Sequence, residues 1–234
     1  KDFMRLLPIA LALILTACTA GVQSPLQQVS ANLPKSVHSD CAVSGKPIVD
    51  LRITRVPERC PLQRPFSKYL NIFGIDILAT ASISDAKLLH AGNVLAQYLD
   101  NDADGVPDDA NVLEVLHGER ATLVMASEAE FEEFTEGELP EDMNFQDLLA
   151  DETRPEFHRG VYGEGRFDAT LEEVLHLVQG VGWANAYPEV FGAEPGSRLA
   201  EAMDVARGGH FEDIPSRYPA SAWYTYNDET CDYG

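Results

Sequence analysis

The sequence predicts an α+β fold: a helix-rich single domain with a small sheet, built around a helix–loop–helix unit whose loop is dense in carboxylates. Three observations carry this. Two runs of β-branched and aromatic residues, 69–80 (YLNIFGIDILAT) and 121–126 (ATLVMA), have the composition of strands. Several other stretches repeat apolar residues at helical spacing between recognisable start and stop residues. A hydrophobic fraction of 45% gives the 234 residues enough apolar material for a core in spite of a formal charge of −21.

The elements follow in order. The first strand is expected over 69–80. Ser84-Asp85 opens a helix whose apolar stripe (Leu88, Leu89, Val94, Leu95, Leu99) ends at Asp100. Residues 100–110 are a carboxylate-rich loop, and a short helix through Val112, Leu113 and Leu116 closes at Gly118. After the strand at 121–126, Ser127 and Glu130 have capping-box spacing and start an acidic helix reaching Glu136. Residues 137–167 lack periodicity and read as a long loop. The strongest helical pattern covers 168–182, followed by 185–191 and a helix over 197–207 that Gly208-Gly209 stops. An irregular aromatic tail (Tyr218, Trp223, Tyr224, Tyr226, Tyr233) ends the chain, and no internal repeat is visible.

Charge narrows the function classes. With 17 Lys+Arg against 38 Asp+Glu and no basic run, the chain repels phosphate backbones, so nucleic acid is excluded as a partner and cations are favoured.

The N-terminal residues carry an address. Arg5 provides a basic start after Met4, which reads as the true first residue, and 6–15 is an apolar run too short to span a bilayer. The run ends in Leu-Thr-Ala-Cys18 and resembles the bacterial lipobox. The resemblance implies cleavage before Cys18, acylation of its thiol, and membrane anchoring through lipid. Thr19, which is not Asp, implies sorting to the outer membrane. On that resemblance residues 1–18 are expected to be a lipoprotein signal peptide, the competing reading being an ordinary secretory signal with an incidental Cys, and 19–65 a tether with a disulfide-closed segment. Export makes disulfides available. Cys41 and Cys60 form the expected pair, closing a loop worth about 3 kcal/mol in the chain-entropy model. Cys231 is left over, either as a free thiol or with a partner further along the chain, and the second is the expectation.

The segment Asp100-Asn-Asp102-Ala-Asp104-Gly105-Val106-Pro-Asp108 is the clearest chemical signal. A hard divalent cation takes six to eight oxygens, and alternate aspartates folded back by a glycine at the sixth position aim theirs at one point. The segment resembles an EF-hand loop and the loops of dockerin and thrombospondin type 3 modules. The resemblance makes Asp100, Asp102 and Asp104 ligands one, three and five, gives Val106 a carbonyl ligand, and places Asp108 and Asn111 at positions nine and twelve. Asn111 replaces a bidentate Glu, and Pro107 has no N–H to pair with a sister loop. The reading is one calcium site of moderate affinity that pins two helices.

A second pattern lies in LEEVLH (171–176). Glu172 and His176 are one helical turn apart and share a face. The pattern resembles the His-Glu-x-x-His helix of zincin metallopeptidases, with Glu173 at the catalytic Glu, His176 at the second His, and Glu172 where the first His belongs. An oxygen in place of a nitrogen shifts preference toward harder metals than zinc. Glu173-x-x-His176 also has the ligand spacing of di-iron carboxylate bundles, a family that needs a second such pair, absent here. The zincin resemblance implies a divalent transition metal completed by Glu201 or Asp204, with His158 and His210 as further candidates, and a metal-dependent hydrolase in which Glu173 polarises water. A purely structural role, in which Thr170 and Glu173 form a capping box and His176 is a core residue, is the competing reading.

Together LLHAGNVLAQYLDNDADGVPDD, DATLEEVLHLVQGVGWANAYPEVFG, LAEAMDVARGGHF and YPASAWYTYNDETCDYG resemble an uncharacterised family of secreted or lipoprotein-type bacterial proteins over 66–234. That resemblance implies a chain continuing past Cys231 and brings no activity. Two functions are left: an exported calcium-binding lipoprotein with a metallopeptidase-like site, or a non-catalytic calcium-stabilised envelope module that binds a peptide or protein, or scavenges metal.

Overall fold

The computed structural model describes residues 50–58, 62, 64–134, 143–157, 167–211, 213 and 216–222. All lie in one unit, Lys35–Gly234. Cys18, Cys41, Cys60, Cys231, His158 and the aromatic tail from Trp223 lie outside the described residues.

The fold is α+β. Five strands, β1 (Asp50–Thr54), β2 (Lys68–Ile72), β3 (Ile75–Ala79), β4 (Thr122–Ala126) and β5 (Phe145–Leu149), form one sheet in sequence order. The first three pair antiparallel and the last three parallel. The helices are α1 (Asp85–Leu99), α2 (Ala110–Gly118), α3 (Glu128–Glu133), α4 (Thr170–His176), α5 (Ala184–Ala186), α6 (Pro188–Phe191) and α7 (Arg198–Arg207), with a π-helical segment Leu177–Trp183 continuing α4.

Period-two alternation divides the sheet between two cores. Leu70, Ile72, Ile77, Leu123, Met125 and Leu148 face α1, α2, α4 and the π segment, meeting Leu88, Leu95, Val112, Leu116, Val174 and Val178. Tyr69, Leu78 and Val124 face the other side, against Val56, Leu62, Phe66 and Met143, with Phe131 and Phe134 at the rim. Asp76 is buried on that second side because Tyr69 Oη and Asn71 Nδ2 donate to its carboxylate at 2.7 and 2.8 Å.

Four expectations are corrected. The run 69–80 is a hairpin: Phe73 and Gly74 both have positive φ (50° and 92°), and Gly74 N donates to Asn71 Oδ1 at 3.0 Å. A turn with two positive φ values matches the twist of the strands it joins, and the burial of Phe73 holds a non-glycine residue there. The loop expected over 137–167 contains β5, whose parallel pairing with β4 runs from Phe145 against Thr122 to Leu149 against Ala126. The segment expected to be tether contains β1, so the sheet begins ahead of Phe66. The helix over 168–182 changes from α to π at Leu177.

Caps explain the other boundaries. Ser84 accepts from Lys87 N at the start of α1, and Ser127 with Glu130 forms the expected capping box of α3. Gly208, with φ 92°, terminates α7 in the left-handed conformation.

Candidate metal centre

The carboxylate loop joins α1 to α2 within the crossover that carries the chain from β3 to its parallel neighbour β4. Asp100 ends α1 and is buried, with 6% exposure, while Asp102, Asp104 and Asp108 are exposed. The backbone fixes the acids. Asp104 N and Gly105 N donate to the two oxygens of Asp100 at 3.1 and 2.8 Å, and Asn101 N donates to Asp108 Oδ2 at 2.8 Å. Asp108 N closes the loop onto Leu99 O at 2.8 Å. Ala103 and Gly105 supply the positive φ values, 57° and 87°, that fold it back.

As a result one oxygen each from Asp100, Asp102 and Asp108 lies within 4.8 Å of the others. Among the described residues this is the one group of three or more acidic, His or Cys ligand atoms that converges in this way. Three hard oxygens, one buried and all braced by backbone, fit a hard divalent cation. Asp102 shows the strain of holding them together. The N–H of Asp104 favours its ionised form, but the charge of Asp104, desolvation, Asp108 and the contact with Asp100 outweigh that and raise its pKa.

Two expected ligands are placed differently. Asp104 stands outside the converging trio, and its Oδ1 accepts from Val106 N at 2.7 Å. Asn111 belongs to the first turn of α2, because Asp109 already caps that helix, accepting from Asn111 N at 2.9 Å and Val112 N at 3.1 Å. Its amide donates to Tyr187 Oη at 3.2 Å. Val106 is exposed at the loop's tip.

The second pattern does not assemble the expected set. Among the described residues Glu172, His176, Glu201 and Asp204 form no group of three converging ligand atoms. The reason is tertiary. α7 packs against α6. Its Glu201 is exposed, and Asp204 Oδ2 accepts from Phe211 N at 2.8 Å, finishing the end of its own helix. His210 is exposed. The capping box at Thr170 is also absent: Ala169 is the N-cap, and Asp168 Oδ1 accepts from Thr170 N and Thr170 Oγ1 at 3.3 and 2.7 Å.

Glu173 turns instead to the sheet. Gln146 on β5 donates to its Oε2 at 2.7 Å. Desolvation, followed by the charges of Glu152, Asp147 and Glu172, outweighs that bond and pushes its carboxyl up to about 7. Glu152 is raised as well, by burial and by Asp147, Asp151 and Glu172, against the pull of Leu149 N.

Sequence reasoning missed Asp109, Tyr187, Gln146 and the pair His90–Asp168. Asp109 carried a signal, an Asp directly before an apolar helical stripe. The other three depend on tertiary contact. No family model matches the chain, and no curated protein or solved structure was found similar to it.

Proposed function

We propose that the chain is an exported, lipid-anchored protein of the bacterial envelope whose α+β domain is a non-catalytic module stabilised by calcium. The observation that carries the metal half of this reading is the convergence of Asp100, Asp102 and Asp108 at the junction of α1 and α2. An ion there neutralises carboxylates that otherwise repel, and it fixes the angle at which both helices meet the sheet. The lipobox-like Leu-Thr-Ala-Cys18 carries the export half. No helix among the described residues is long and apolar enough to cross a membrane.

The test is elemental analysis of the chain after gel filtration without chelator. One calcium per chain and no stoichiometric zinc, iron or manganese is the expected result; a stoichiometric transition metal lost on His176→Ala contradicts it.

The hydrolase is the second reading, and one observation favours it. A carboxyl held at about 7 lies where a general acid or base works best. Turnover of a peptide library that disappears in Glu173→Gln, with metal content unchanged, supports this reading against the first.

A further inference from the structure

The sheet ends at β5, which has a neighbouring strand, β4, on one side only. A parallel pair uses the main-chain groups of alternate residues. Thr122 N donates to Asn144 O and Ala150 N donates to Ala126 O, both at 2.9 Å, so residues 144, 146, 148 and 150 turn their main-chain groups toward β4. Phe145, Asp147 and Leu149 therefore turn theirs away from the sheet. Those of Leu149 are taken: its N–H donates to Glu152 Oε2 at 2.8 Å, and its carbonyl accepts from Glu152 N and Thr153 N at 3.2 and 3.3 Å. Among the described residues, the outward groups of Phe145 and Asp147 meet only Gln146 Nε2, which lies 3.5 Å from Asp147 O. Phe145 is also 45% exposed.

This edge has a definite charge. β5 contains neither Lys nor Pro, the residues that most often keep another strand off an edge. Its one charged residue is Asp147, whose charge acts on Glu173 together with those of Glu152 and Glu172. Gln146 Nε2 donates to Glu173 Oε2 at 2.7 Å and so holds that carboxyl beside β5. Among the described residues none of these four carboxylates forms an ion pair. The neighbouring cations are turned to carbonyls: Lys87 Nζ donates to Ala150 O, and Arg154 Nε donates to Asp151 O at 3.0 Å.

We infer that the free edge of β5 receives an extended, Lys- and Arg-bearing segment of another protein as a sixth strand. The N–H and C=O groups of Phe145 and Asp147 supply its main-chain bonds, and the four carboxylates choose its charge. An apolar residue of the incoming segment lies beside the ring of Phe145. A second copy of this chain does not fit, because its β5 brings the same carboxylates against these. The edge shares no residue with Asp100, Asp102 and Asp108, so the outcome of its test leaves the calcium reading as it stands.

The experiment is an NMR titration of the isotopically labelled chain, with calcium present and at fixed ionic strength, in which amide hydrogen exchange is read residue by residue. The probe is the peptide acetyl-Lys-Val-Arg-Val-Lys-Val-Arg-amide. The expected result is saturable shifts confined to residues 144–149, 172 and 173, with slowed exchange at the amides of Phe145 and Asp147. The same peptide with Glu at each basic position, and one N-methylated at every internal amide, are each expected to bind at least about ten-fold more weakly. Asp147→Asn combined with Glu172→Gln weakens binding about five-fold, and Glu114→Gln, at an exposed position of α2, leaves it within about two-fold. Phe145→Pro removes an outward N–H that β4 does not use, and it binds about ten-fold more weakly than Phe145→Ala, which removes the ring alone. No binding, shifts spread over the acidic surface, unchanged exchange at Phe145 and Asp147, equal binding of the N-methylated peptide, or equal binding by Phe145→Pro and Phe145→Ala overturns the inference.

Discussion

Tyr187 donates its hydroxyl hydrogen to Asp109 Oδ2 at 2.8 Å, across 78 positions of sequence. Asp109 is the last residue before α2 and uses its other oxygen to cap that helix. Desolvation raises its pKa, but the bonds from Tyr187, Val112 N and Asn111 N together hold it below the usual carboxylate range. Tyr187 sits between α5 and α6, just after the π segment. The pair therefore ties the exit of the aspartate loop to the junction of α5 and α6, beyond the π segment.

Tyr187→Phe removes that donor and leaves Asp109 short of a partner. Unfolding stability is expected to fall by about 1 kcal/mol. If the bond also steadies the loop, calcium dissociation rises by up to about five-fold, the same energy read as affinity. Chemical denaturation with and without calcium measures both. Unchanged stability contradicts the link.

Two glutamates give pH effects of opposite sign. Glu173 has a folded-state carboxyl raised to about 7, so its proton stabilises the fold below the unfolded value of 4.5, and that stability is lost as pH rises from there through 7. Glu173 is only partly buried, so after discounting for solvent the loss is expected to be about 1–2 kcal/mol. Glu173→Gln keeps the hydrogen-bonding shape without the charge and flattens this part of the profile. A slope that survives the substitution contradicts the assignment.

Glu130 behaves in reverse. Its Oε2 accepts from Ser127 N, Ser127 Oγ, Ser82 Oγ and Thr80 Oγ1 at 2.6 to 2.9 Å, binding α3 to the end of β3. Desolvation works against ionisation, but these donors outweigh it and hold the carboxyl at about 2. Its stabilisation is present above pH 4.5 and is lost as pH falls toward 2. Glu130→Ala is expected to cost about 1.5–3 kcal/mol at neutral pH, the range for bonds to a charged group. The cost shrinks in acid, which thermal melts across pH 2 to 7 detect.

Gly182 tests the packing of the π segment on α2. A Cβ there meets Val112 Cγ1 at 2.9 Å and Leu116 Cγ at 3.1 Å, both in the core. Gly182→Val is expected to destabilise by about 1–3 kcal/mol through overpacking. Gly180, where a Cβ meets nothing within 4 Å, tolerates Ala.

Local signals were legible and tertiary ones were not. The capping residues Ser84, Ser127 and Ser197 marked three helix starts, since their hydroxyls accept from the first turn in each case. The hairpin at Phe73-Gly74 was hidden because its turn lacks the usual Asn or Asp beside glycine and its first residue is buried. β5 was hidden because only Leu148 of its five residues is fully buried, so it shows little apolar alternation. The aspartates at 100, 102 and 108 were readable because a short loop brings near neighbours together. Glu172 and His176 share a face by helical geometry alone, but their third ligand required α7 to pack beside them, and it packs on α6.

Calcium titration of the chain, by calorimetry and by thermal unfolding of the same samples, tests whether Asp100, Asp102 and Asp108 hold an ion. One site per chain is expected. At a hundred-fold excess over the dissociation constant calcium is expected to add about 2.7 kcal/mol of stability, which is roughly 5–10 °C in Tm for a domain of this size. Asp100→Asn, which alters the buried member of the trio, is predicted to abolish both signals. No calcium heat and no change in Tm, or a response that persists in Asp100→Asn, contradicts a calcium site at this loop.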